Sequence, residues 1–418
     1  MKPSPTRTTL ARLGAASATM IAIGIVASPS HAQCQYDVTV LQFPIDCGIG
    51  TVITSGLSLN ENGAVVGRYK CPISKYSQGF LWTAEGGFVG LDPPPGVIEV
   101  IPTGINDQGV ICGTMIVADI GKRGFVYGHG AWTVLPPVVD MLGTWSSAAA
   151  INNDGMVVGQ RSITENLTPQ NAYIWSSEEG FTDLGIVKGP NSGAFDISET
   201  YVVVGWTGST FHSDGSQAVL WKNNKPFLIG VLPNGSATSA GGISADGRHV
   251  VGSGRIDGVW GFQGFKWQDG VISVIEPLPG YDTSGAGDVN NMRVVTGLCG
   301  MQENPNDRRG YVHLQSATYD LNDLIAPDSE YVDIQRAKAI ANSGQIVADG
   351  HDELGNVVTF LLTPIDPSPT DLDGDCRTGI TDLLILLSEW GESKSSADFD
   401  DDGSVGIADL LILLENWG

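Results

Sequence analysis

A motif of the form INNDGMVVG, followed by an aromatic-rich stretch such as NAYIW, occurs seven times along this 418-residue chain at a nearly constant interval. The residue opening the motif's turn is Asn60, Asn106, Asn152, Ser198, Ser244 and Asn290, each 46 positions after the last, and Ala341 follows after 51. The aromatic signal runs Trp82, Tyr127, Trp175, Trp221, Trp267, His313 and Leu362, at steps of 45 to 49. A fixed period of this size means a solenoid, an array or a propeller, because each unit buries its apolar face only against a neighbour.

The third copy, Ser147 to Gly189, shows the unit most clearly. SAAAIN reads as a short strand, NNDG as a turn whose residues tolerate positive φ, and MVVGQRS as a strand rich in β-branched residues. AYIWSS and FTDLGIV make a third and a fourth strand, separated by a turn at Glu178–Gly180. The first strand of every copy is built from small residues: TSGLSL, PTGI, SAAAI, SGAFDI, SAGGI, SGAGDV and RAKAI. Innermost strands crowd round the axis of a propeller, whereas a linear stack has no such crowding. The expected fold is therefore an all-β, seven-bladed β-propeller over residues 33–365. The seventh copy runs into TPIDPSPT and lacks a fourth strand, while an orphan strand, DVTVLQF (Asp37 to Phe43), precedes the first copy. That N-terminal strand is expected to complete the last blade and close the ring.

A hydrophobic share of 42% with 55 glycines suits a turn-rich β body. The net charge of −24 argues against sequence-independent nucleic-acid binding, which needs Lys and Arg to meet phosphates. Lys2, Arg7 and Arg12 precede an apolar run from Ala15 to Ala27, and Ser30-His31-Ala32 offers small residues at the cleavage positions. Residues 1–32 thus read as a secretory signal peptide, which predicts an extracellular or cell-surface protein with no membrane span after cleavage. Of the six cysteines, Cys34 and Cys47 flank the proposed closing strand and are the first pair to expect bridged in an exported protein.

After a linker at residues 366–370 the composition changes. From Asp371 to Gly418 there are twelve acidic residues against Arg377 and Lys394. DLDGDCRTGITDLLILLSEWG and DFDDDGSVGIADLLILLENWG repeat at an interval of 27. Asp371, Asp373, Asp375 and Asp382 take positions 1, 3, 5 and 12 of a twelve-residue loop, and Asp398, Asp400, Asp402 and Asp409 take them in the second. Ca²⁺ wants six to eight oxygens, and alternate carboxylates on a curling loop supply them, with the position-7 carbonyls of Arg377 and Ser404. Water must serve at position 9, where Gly379 and Gly406 stand. Two Ca²⁺ sites are expected, each feeding a short helix whose leucines form the module's own core, closed by Trp390 and Trp417.

Residues 371–418 resemble a type I dockerin, a small α-helical module of two tandem EF-hand-type calcium loops, each followed by one helix. The resemblance implies docking onto a cohesin-like domain of a surface scaffold, in a setting of polysaccharide breakdown. It places partner contacts at loop positions 10 and 11, here Ile380, Thr381, Ile407 and Ala408, where many dockerins carry hydroxyl pairs. Cys376 departs from the usual position-6 glycine. The ring repeats, roughly Thr51 to Thr363, resemble HAF-type extracellular repeats of secreted bacterial proteins, although the name-giving triplet reads GFLW, GFVY, AYIW, AVLW, GFKW, GYVH and TFLL.

Residues present in every blade serve the blade. The turn Asn and Gly read as hairpin chemistry, and the third-strand Trp or Tyr as packing between sheets. A catalytic site should break the symmetry, as His212, His249, His351 and the insert Leu298–Arg309 do, yet these form no recognisable constellation, so no catalytic residue is assigned. The expectation is a non-catalytic binding propeller tethered by its calcium module, with a dockerin-borne polysaccharide-degrading enzyme (glycoside hydrolase or lyase) as the alternative. A channel mouth lined only by repeat-equivalent residues would favour the first. Carboxylates and aromatics facing one another there would favour the second.

Overall fold

The computed structural model describes residues 36–41, 53–137, 144–162, 169–211, 215–314, 316–326, 332–365, 370–373, 378–392, 395–400 and 402–417. The proposed signal peptide, linker residues 366–369, His212, Cys34, Cys47 and Cys376 lie outside them. Seven antiparallel four-stranded sheets make up the body, six of them consecutive meanders. In each, the first strand pairs with the second, the second with the third and the third with the fourth, as in Ser146–Ile151, Val157–Ser162, Gln170–Ser176 and Gly180–Asp183 of blade three. The fourth strand there stops at Asp183, well short of the FTDLGIV expected from its residue types.

The seventh sheet draws its outermost strand from the other end of the chain. Tyr36–Val40 lies antiparallel to Val357–Pro364, with Tyr36 opposite Pro364 and Val40 opposite Phe360. The first strand of each blade touches the first strand of the next, and that of blade seven touches that of blade one, so the ring is closed. The fold is a seven-bladed β-propeller sealed by its N-terminal strand. No helix among the described residues is long and apolar enough to cross a membrane.

The core is divided as a ring demands, into one apolar cluster for each of the seven seams between neighbouring sheets. At the seam of blades four and five, for example, Val204, Ala218 and Leu220 meet Ala240, Val250 and Phe265. The last glycine of the VVG motif explains itself here. A Cβ on Gly67, Gly113, Gly252 or Gly297 would stand 2.1–2.3 Å from a first-strand carbonyl and within 3 Å of the ring of Phe80, Phe125, Phe265 or Tyr311. Those rings are fully buried, whereas Trp82, Tyr127, Trp175 and Trp267, two residues further along the same strands, are half-buried at the seam edges. Cys112 and Cys299 are free and buried in seams; burial pushes their thiols up to about 12 and about 11, so they pack as apolar residues. Cys71 is disulfide-bonded.

A polar latch reinforces the closing seam. Asp349, on the second strand of blade seven, accepts from the Gly56 N–H (3.0 Å) and the Ser55 hydroxyl (2.8 Å) of blade one, and pairs with Lys338 at 3.0 Å. Both charged side chains are more than four-fifths buried.

At the C-terminal end, helices α1 (Ile380–Ser388) and α2 (Ile407–Glu415) share a small core of Leu372, Leu386, Ala397, Val405 and Leu413. A nine-residue helix offers one buried stripe, so Leu384, Leu387, Leu411 and Leu414 face solvent. Trp390 and Trp417 do not close that core. They are 44% and 43% exposed, each lying beyond the helix C-cap where the stripe has run out.

Two outcomes test the closure. Deleting residues 36–40 should lower the melting temperature of the whole ring in one cooperative transition, and a separate low-temperature step confined to blade seven would contradict it. Asp349→Ala, which strands the Lys338 ammonium, should cost about 3 kcal/mol in denaturant unfolding.

Candidate functional site

The most distinctive polar construction lies at one mouth of the channel, where the first-to-second-strand turns of all seven blades converge round a cavity of about 480 Å³. In six blades the second turn residue hands a hydrogen bond to the next blade, and in blade five the third, Asp246, does so. The N–H of Glu61 donates to Asp107 (3.0 Å), that of Asp107 to Asn153 (2.9 Å) and that of Asn153 to Glu199 (3.1 Å). Glu199 then donates to the Ala245 carbonyl (2.9 Å), Asp246 to Asn291 (2.9 Å), Asn291 to Asn342 (2.9 Å), and Asn342 back to Glu61 (3.0 Å). The circuit runs once round the axis and closes.

A second relay lies beneath it. The side-chain amides of Asn60, Asn106, Asn152 and Asn290 donate to the carbonyls of Asn106, Asn152, Ser198 and Ala341, one blade on. Their Oδ1 atoms accept from Ala64, Val110, Met156 and Val294 within the turn. The repeated asparagine is thus hairpin chemistry and blade-to-blade fastening at once, and the second role is invisible in one copy of the motif. Blades four and five carry Ser198 and Ser244, whose hydroxyls only close their own turns. In blade four Asp196 takes over, accepting from the Ile243 N–H of blade five at 2.8 Å, and Asp288 makes the same contact to Ile340 at 3.0 Å.

These carboxylates are crowded. Burial raises the pKa of Asp196, and the charge of Asp288 raises it further, against the opposing N–H groups of Ile243 and Ile197. Burial likewise raises Asp288. At the mouth, burial raises Glu61 and Glu199, with Asp107 adding to both and the Asn342 and Asn153 N–H groups opposing.

Among the described residues, the symmetry-breaking His249 and His351 do not meet. His249 is buried in blade five, where burial lowers its pKa, and His351 of blade seven lies 3.4 Å from Asp333. The insert ends in Arg309, paired with Asp333 at 2.8 Å and Asp320 at 3.5 Å, a rim network joining blades six and seven. Backbone strain marks a feature that sequence reasoning missed. Five of the seven turns end in Gly at φ +73 to +79, but blade four has Tyr201 at φ +61 and blade six Arg293 at φ +66, a conformation costing such residues about 1–3 kcal/mol each.

In the C-terminal module, carboxylate oxygens of Asp371, Asp373 and Asp382 lie within 4.8 Å of one another, and so do those of Asp398, Asp400 and Asp409. Asp375 and Arg377 lie outside the described residues. The Asp402 carboxylate accepts from the N–H and hydroxyl of Ser404, while its own N–H donates to Asp398 and Asp400. Each triad is an all-oxygen donor set suited to a hard cation. The Asp402 N–H favours the charged form of Asp400, but burial and the neighbouring carboxylates of Asp402, Asp409 and Asp398 raise its pKa, the mark of negative charge held close. Asp382 and Asp409 sit at the third residue of their helices, where one oxygen accepts from the N-cap Gly379 or Gly406 and the other from two loop N–H groups. Ile380, Thr381, Ile407 and Ala408 are all exposed at the helix starts.

Comparison with known proteins places this architecture among propellers. Prolyl endopeptidases match with a TM-score of 0.50 and 12% identity over 81% of this chain and 51% of theirs. The β-propeller domain of the trilobed protease of Pyrococcus furiosus matches at 0.49 and 11%, over 76% and 99%. The acylaminoacyl peptidase of Pyrococcus horikoshii matches at 0.48 and 11%, over 74% and 51%. The chain spans about half the length of two of these, and at such identities the likeness concerns the fold alone. No family model and no curated protein matches the sequence.

The buried carboxylates set the sign of a pH dependence. A carboxyl whose pKa is higher in the folded state than in the unfolded chain binds more protons when folded. The stability it gives is present below the ordinary value of 3.8 and is lost as pH rises through the raised one. The ring should therefore melt at lower temperature at neutral than at mildly acidic pH, and Asp196→Asn should flatten that slope. A slope of unchanged steepness in the variant would refute the assignment.

Proposed function

We propose that this protein is an exported, non-catalytic binding propeller, held at the cell surface or on an extracellular scaffold by a calcium-dependent dockerin-like module. The observation carrying the first half is the composition of the mouth. Its lining comes from equivalent positions of the seven turns, and the carboxylates of Glu61, Asp107 and Glu199 already accept backbone N–H groups of neighbouring blades. A general acid or nucleophile drawn from these groups would have to act while still holding the neighbouring blade, which favours a structural duty for them. Supporting the second half are the paired acidic triads, each linked through its position-12 aspartate to the start of a helix.

In this reading Asp371, Asp373, Asp375 and Asp382, with the Arg377 carbonyl, hold one Ca²⁺, and Asp398, Asp400, Asp402 and Asp409, with the Ser404 carbonyl, hold the other. The ion supplies the positive charge that gathers the carboxylates. The exposed Ile380, Thr381, Ile407 and Ala408 then offer an apolar contact to a cohesin-like partner or other surface scaffold, in place of a hydroxyl-based one.

Isothermal titration should find two Ca²⁺ per chain, and replacing Asp398 and Asp409 by Ala should remove one; unchanged stoichiometry would refute the ligand assignment. The whole protein, assayed on a panel of polysaccharides with and without Ca²⁺, should release no new reducing ends or unsaturated products. Turnover on any of them would overturn the non-catalytic reading in favour of a polysaccharide-degrading enzyme.

A further inference from the structure

Tyr201 is costly to its own blade. It adopts φ +61 where five other turns use Gly, and the ring stays 49% exposed, so burial does not account for its presence. A Cβ at the equivalent Gly109 or Gly155 would meet nothing within 4 Å, whereas at Gly63, Gly247 and Gly344 it would crowd Gln345, Thr200 and Pro364, so in blades two and three only the backbone resists a side chain. The phenolic hydroxyl donates to Asp154, on the turn of blade three, which fixes the ring across the crevice between the two blades.

That ring lines a cavity of about 190 Å³. Met156 and Ile174 give it an apolar floor, and Glu179, Thr182, Asn223 and Asn224 a polar border. Among the described residues, none of these four polar side chains makes a hydrogen bond or ion pair with the protein. Asn223 and Asn224 form the tight turn of their hairpin at φ +53 and +56, which fixes their backbone and leaves both amides exposed beside the cavity. An anchored, half-exposed aromatic face beside unspent amide and hydroxyl groups matches the two faces of a sugar: the ring stacks on its C–H surface while the amides meet its hydroxyls. The volume falls below the roughly 300–1,000 Å³ of sites for larger ligands, which limits it to about one ring. Glu179 and Asp154 beside it, on a chain of net charge −24, disfavour uronates and sulfated sugars.

We propose that the crevice between blades three and four is a subsite for a single neutral pyranose unit of a polysaccharide, with Tyr201 as its stacking platform and Asn223, Asn224 and Thr182 as hydroxyl partners. The inference rests on the reading of the ring as a binding body and supplies its ligand class.

Affinity electrophoresis of the whole protein in gels containing hydroxyethyl cellulose, galactomannan, arabinoxylan or polygalacturonate tests it. Wild-type protein should be retarded by at least one of the three neutral polymers. Tyr201→Gly should weaken that retardation at least tenfold while keeping a cooperative melt, because Gly is the residue the backbone there prefers. Tyr201→Phe, which keeps the stacking face, should lose no more than a few-fold, and Arg293→Gly, at the equivalent turn of blade six, should bind as wild type. Retardation by none of the neutral polymers, or equal retardation of wild type and Tyr201→Gly, would overturn the subsite. Release of reducing ends from the same polymers would instead overturn the non-catalytic reading, so the two failures can be told apart.

Discussion

Blade-to-blade satisfaction is the interaction on which the rest of this structure depends. No blade completes its own core, since each apolar cluster is assembled from two sheets, and each turn also donates a backbone N–H to the next blade round the axis. In an open stack the terminal units would leave a seam exposed and a set of backbone donors without acceptors, each a cost in lost burial and unmade hydrogen bonds. Closure removes both ends at once. The seam where closure happens therefore carries more than its repeat-equivalent contacts: a strand borrowed from the N-terminal side, and the Asp349–Lys338 pair bridging to Ser55 and Gly56.

This economy bears on where function can reside. The mouth of a propeller is the natural place to look for a site, and here it is polar and acidic, which invites a catalytic reading. The same groups are also fasteners of the ring, since Glu61, Asp107 and Glu199 each accept from a neighbouring blade. Departures from the repeat that bring no structural gain are better guides. Arg309 breaks the pattern and obtains two ion pairs for it, and His351 adjoins that network through Asp333. Tyr201 obtains one exposed hydrogen bond and accepts a left-handed backbone.

Much of the fold was legible in the sequence because it is written seven times. The 46-residue step, the small residues of the first strands and the orphan strand before the first copy give the blade count, the ring and its closure. What could not be read was any relation between copies. Nothing in INNDG tells that Asn106 bonds the carbonyl of Asn152, because that partner is 46 residues away and was assigned a local duty. The third-strand aromatics do pack at the seams, Trp221 fully and Trp82 and Trp267 in part, and the rings two residues earlier, Phe80 and Phe265, lie deeper, over the VVG glycines. Tyr201 carried a usable signal, a bulky residue in the Gly column of an alignment of the copies, but its meaning needed a φ value. In the tail, three of the four aspartates expected in the second loop gather, Asp398, Asp400 and Asp409 without Asp402, and the exposure of Trp390 and Trp417 depended on where two short helices end.

The tail also shows why a shorter acid at loop position 12 has a structural rationale. Asp382 and Asp409 are the third residues of their helices, close enough for one carboxylate to take the N–H of the N-cap glycine and two N–H groups of the loop. For Asp409 these donors outweigh burial and lower its pKa, whereas Asp400, among like charges, is raised. The same carboxylate thus ties the loop to the helix start and belongs to the repelling cluster. The helix that each carboxylate begins carries Leu386 or Leu413, both fully buried in the module core. Loop and helix start are therefore tied through a single carboxylate in each copy, Asp382 or Asp409.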